Sequence, residues 1–65
     1  MTPDELRRWL DTAGVTQGGL SRLVEVNVRT VRRWCSGHQP IPDALRSRLD
    51  RVTDDEIDDA MGGVG

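Results

Sequence analysis

Residues 16–34 read Thr16-Gln-Gly-Gly-Leu-Ser-Arg-Leu-Val-Glu-Val-Asn27-Val-Arg-Thr-Val-Arg-Arg-Trp34, and this stretch decides the fold. Thr16 and Asn27 are residue types that accept hydrogen bonds from the first free N–H groups of a helix, so each marks a helix start. Leu20, Leu23 and Val24 follow the first cap, and Val28, Val31 and Trp34 follow the second, at spacings that gather them on one helical face. Only Glu25 and Val26 lie between. Two short helices joined by a tight turn are therefore expected, the second running from Val28 to Cys35 with Arg29, Arg32 and Arg33 opposite its apolar side. Two glycines, Gly18 and Gly19, weaken the first of these helices by about 1 kcal/mol each relative to alanine. That helix is expected to order on binding.

Working outward, Thr2-Pro3-Asp4-Glu5 carries a capping box with proline at the first helical position. Leu6, Trp9, Leu10 and Ala13 recur at i, i+3, i+4 and i+7, giving a first helix that stops near Gly14. Beyond the quoted stretch, Gly37, Pro40 and Pro42 interrupt the pattern. Pro42 suits the first turn of a fourth helix with Leu45, Leu49 and Val52 inward. Thr53-Asp54-Asp55-Glu56 repeats the capping-box pattern and predicts a short fifth helix from Asp54 to Met61, with 62–65 a flexible tail. No segment alternates as a strand would. The expectation is an all-α, single-domain bundle of four to five short helices over 1–61.

The 65 residues carry a formal charge of −2, and its distribution matters more than its sum. Up to Arg51 there are nine arginines against six carboxylates, a surplus of three; Asp54, Asp55, Glu56, Asp58 and Asp59 then make the remainder acidic. A basic body with arginine on one exposed helix face suits nucleic-acid phosphates and guanine edges. All basic residues are arginine, a bias that GC-rich codons also produce. Cys35 is the only cysteine and His38 the only histidine. Their C-x-x-H spacing falls short of the four ligands of a structural zinc site, so no metal and no cofactor are expected. Catalysis by such a pair would need a pocket and an orienting group, and short helices leave little room for one. A non-enzymatic protein is the expectation. The lone thiol fits a reducing compartment, and no apolar run reaches the roughly 20 residues of a membrane span, which together point to the cytoplasm.

Gly14-Val15-Thr16-Gln17, Leu20-Ser21-Arg22-Leu23-Val24, Val26-Asn27-Val28-Arg29-Thr30-Val31-Arg32-Arg33-Trp34, Gly37 and Pro40-Ile41-Pro42 together resemble the Cro/phage-repressor-type (XRE) helix-turn-helix family, over about Leu6 to Leu49. The resemblance implies a lambda-repressor-like fold and a dimeric, sequence-specific regulator that lays its second motif helix in the major groove. The compact form looks like the small autorepressors of phages and mobile elements, including anti-CRISPR-associated regulators. It assigns base-edge contacts to Val28, Arg29 and Arg33, backbone contacts to Gln17, Asn27, Thr30, Arg32 and Ser36, and close helix packing to Ser21. Glu25 departs from the family, standing where glycine usually supplies a left-handed turn, so the turn either differs or is strained. Trp9 and Trp34 fall on apolar stripes and are expected in the core rather than stacked on bases.

Ile57, Ala60 and Met61 form a stripe on the fifth helix with little core left to cover, and with Leu49 and Val52 they are expected to make a homodimer contact across a two-fold axis. The leading expectation is a repressor reading an inverted repeat in double-stranded DNA, without a membrane partner. Two other classes stand beside it. One is an antitoxin-type module that also binds a protein; the other is an architectural or excision factor that bends DNA.

Overall fold

In a computed structural model that describes residues 1–62, five helices follow in order: α1 Pro3–Ala13, α2 Gln17–Leu23, α3 Val28–Ser36, α4 Asp43–Asp50 and α5 Asp54–Ala60. There is no strand among the described residues. Residues 63–65, part of the expected flexible tail, lie outside that range. Gly62 belongs to the end of α5: its φ is +72° and its N–H donates to Asp59 O at 3.1 Å.

The local starts are largely those that the sequence dictates. Thr2 and Glu5 close a capping box on α1, Thr16 Oγ1 accepts from Gly19 N, and Asn27 Oδ1 accepts from Arg29 N. Gly14 and Gly37 end α1 and α3 in left-handed conformation. Two caps differ from expectation. Pro42 stands just before α4, in extended backbone, rather than in its first turn. Thr53 caps α5, but Glu56 turns away from the reciprocal bond and places its carboxylate 3.0 Å from Arg48 Nη1.

No helix here exceeds 11 residues, so none is stable alone and each depends on shared burial. Leu6, Leu20 and Val31, one from each of α1, α2 and α3, are completely buried. Leu10, Leu23, Trp34, Leu45 and Leu49 extend the core around them, with Trp9 half-buried at its edge. Helix α3 packs on both α1 and α2. Two arginines tie the assembly through backbone carbonyls. Arg7 Nη1 donates to Cys35 O at 2.9 Å, joining α1 to the last turn of α3. Arg48 Nη2 donates to Leu23 O at 3.5 Å while its other nitrogen holds Glu56, joining the ends of α2, α4 and α5.

Helix α5 packs against α2 of its own chain, and this corrects the expectation that its stripe has little core left to cover. Ala60 and Leu49 are buried core residues and Val52 and Ile57 are half-buried against the core, while Met61 rests on α2 with 36% of its surface exposed. The stripe thus covers core inside the protomer. Gly19 makes the approach possible: a Cβ there would overlap Met61 Sδ and crowd Thr16 Oγ1 at 3.2 Å and Val15 Cγ1 at 3.3 Å. The weak propensity of α2 is offset by its Thr16 cap and by packing on α3 and α5. Gly18 is different, with nothing nearer to a Cβ than Thr16 Oγ1 at 4.0 Å. Gly18→Ala is expected to raise stability by up to about 1 kcal/mol, whereas Gly19→Ala gives none of that gain, because Met61 must swing aside and Thr16 and Val15 must shift to admit the Cβ. Urea unfolding of both variants, with Met61→Ala added to Gly19→Ala to relieve the overlap, checks the pair.

Candidate nucleic-acid interface

The candidate face is built on α3, whose two sides are chemically opposed. Val31, Trp34 and Cys35 are buried on one side; Arg29, Arg32, Arg33 and Ser36 are exposed on the other. At about 100° per residue, Arg29, Arg33 and Ser36 lie nearly in line along the helix and Arg32 sits to one side. The helix runs to Ser36, one residue beyond the expected end, because Gly37 donates to Arg33 O and Trp34 O and His38 N donates to Arg33 O at 3.0 Å.

Position on one helix face, rather than pairing alone, sets these arginines apart, since Arg8, Arg22 and Arg51 make no ion pair among the described residues either. Arg7 pairs with Asp4, Arg46 with Glu5 and Arg48 with Glu56. Among the described residues no ion pair involves Arg29, Arg32 or Arg33. Their charges are therefore directed to solvent, on a helix that the core and Arg7 hold in a fixed orientation.

The expected backbone-contacting residues divide by how free their polar groups are. Asn27 is exposed, but its Oδ1 is engaged in the α3 cap at 2.8 Å, which leaves its amide N–H groups for a ligand. Ser36 Oγ donates to Arg33 O at 3.3 Å and lies 2.7 Å from His38 Nδ1. Val28 and Thr30 are half-buried at the flanks of α3. Gln17 is half-buried at the start of α2, its amide close enough to Cys35 to act on the thiol. Burial pushes that thiol above its ordinary pKa, and Arg7 and Gln17 pull it back only in part. Ser21 Oγ donates to Gly18 O at 2.7 Å inside α2.

Three features were not read from the sequence. His38 stands exposed beside Ser36 at the end of the arginine face, and Arg7 and Arg48 act as clamps. A single histidine in a loop gives no periodic signal, and an arginine on a polar face looks the same whether it meets water or a distant carbonyl. Cys35 and His38 diverge, the thiol into the core and the imidazole outward. Among the described residues no cluster of three His, Cys, Asp or Glu side chains could hold a metal ion, and no helix is long and apolar enough to cross a membrane.

The connection between α2 and α3 keeps the left-handed turn without glycine. Glu25 has φ +56°, and Val26 N donates to Ser21 O at 3.0 Å across the turn. A side chain in that region costs on the order of 1 kcal/mol. Comparison with protein families, with curated proteins and with solved structures finds no match for this chain.

The turn is strained while the helices on either side are held by packing, so Glu25→Gly is expected to stabilise the protein by about 0.5–1 kcal/mol without moving α3. Denaturant midpoints at constant slope check it.

Proposed function

We propose that the chain is a sequence-specific double-stranded DNA-binding protein of the Cro/phage-repressor type, a dimeric repressor that reads an inverted repeat with α3 in the major groove. The observation that carries this reading is the exposed arginine face of α3: Arg29, Arg32 and Arg33 unpaired among the described residues, opposite a buried Val31–Trp34 side. A helix with guanidinium groups outward fits the major groove, and arginine pairs with guanine O6 and N7 through two hydrogen bonds. Arg29 and Arg33 read bases, with Val28 at the helix start against a thymine methyl. Arg32, Thr30, Asn27, Gln17 and Ser36 hold the sugar-phosphate backbone, Asn27 through its free amide N–H groups. Repression follows from occupying a promoter and requires no cofactor.

The acidic residues of α5 do not oppose this reading. They belong to a helix packed on α2, and a net charge of −2 limits indiscriminate binding while the local arginine surplus supplies attraction.

Affinity for duplex DNA is expected to fall with salt at a log–log slope of about −0.9 per neutralised phosphate. Arg29→Ala and Arg33→Ala each remove about 1–3 kcal/mol of discrimination between a specific and a random duplex, whereas Gln17→Ala weakens both duplexes alike. Fluorescence anisotropy on the two duplexes over a salt series checks these outcomes. Equal losses on both duplexes for the two arginine variants would remove base reading from α3.

A further inference from the structure

A groove of about 350 Å³ opens between α1 and α4, and no residue of α3 lines it. Its floor is apolar, formed by half-buried Met1 and Trp9 over Leu49. Its rim carries two acids, Glu5 and Asp50, and two arginines, Arg8 and Arg46. We propose that this groove is the surface on which a second copy of the chain docks, related by a two-fold axis. The inference rests on the reading of the protein as a dimeric DNA binder and replaces α5 as the source of the contact.

Self-complementarity carries the choice of partner. In a two-fold contact the same patch meets itself, so each acid needs a base on the identical patch to face. The α1/α4 rim carries both signs around an apolar floor, Glu5 and Asp50 against Arg8, Arg46 and the Met1 ammonium beside Glu5. Its one internal pair is loose: Arg46 Nη1 and Glu5 Oε2 are 3.9 Å apart, with 62% and 52% of the two side chains exposed, so both are free to re-pair. Arg8 makes no ion pair among the described residues. The other apolar groove, about 230 Å³ around Val24, Val26, Trp34, Pro42 and Leu45, has Arg48 as its only charged lining residue. That charge is already held by Glu56 at 3.0 Å, so two copies meeting there would have no charges to exchange.

Position agrees with charge. Arg7 reaches Cys35 at the end of α3, and Trp9, two residues on, points about 200° away around α1. A second copy in the groove therefore leaves α3 uncovered. Eight residues line the groove, against the roughly 20–30 a side of a standard interface, so the dimer is weak and reversible.

Sedimentation equilibrium tests the groove directly. Arg8→Glu with Arg46→Glu leaves every charged side chain of the rim acidic, and Glu5→Gln with Asp50→Arg makes the rim basic while preserving the capping box. Each double variant alone is expected to raise the dimer dissociation constant by about tenfold or more, and a mixture of the two to recover a 1:1 dimer. Arg51→Glu, outside the groove, leaves the constant unchanged, and circular dichroism verifies that every variant is folded. Double variants that dimerise like the wild type, a mixture that recovers nothing, or a wild type that stays monomeric at hundreds of micromolar would overturn the proposal. Duplex binding is read on the same wild-type samples. A monomer that binds specific DNA would remove the groove and leave the DNA-binding reading, and a groove-dependent dimer that ignores DNA would do the reverse.

Discussion

The burial of Leu6, Leu20 and Val31 is the constraint on which the rest of the molecule depends. Each comes from a helix too short to persist in water, and each loses all its exposure only when the three helices are assembled together. Fixing Val31 inward fixes the rotation of α3. Arg29 and Arg33 then have one direction open to them, away from the core. The same packing sets where Arg7 finds Cys35 O, so the orientation of the arginine face follows from the core.

A second constraint is the close approach at Gly19. Helix propensity alone argues for alanine in that position, and the glycines of α2 look in the sequence like a weakness. Their roles differ: Gly19 lets Met61 and Ala60 come down on α2, while Gly18 faces open space. The acidic α5 is held there by burial and by the Glu56–Arg48 pair, and it completes the core of the chain that carries it.

The helices were legible because caps and periodicity are local. Thr2, Thr16, Asn27 and Thr53 each sit one residue before a helix, and the apolar residues expected on the core side of α1 to α4 are buried or half-buried. What escaped was non-local. Nothing in residues 54–61 says which surface their apolar stripe will cover, so Ala60 looked like an interface residue and is a core residue. Glu56 was read as a capping partner because Thr53 is three residues away, but Arg48, eight residues away in sequence, offers a full charge. The strain at Glu25 was legible as an alternative, and the observed φ selects it.

The claim that this arginine face reads a DNA sequence is tested most directly by selecting binding sites from a random duplex pool at near-physiological salt. Enrichment of an inverted repeat is expected, its half-sites centred about one helical turn, roughly 34 Å, apart, with guanine in each half-site. Recovery of unenriched sequence, with binding that vanishes as salt rises, would contradict it and reduce the face to a phosphate-binding patch.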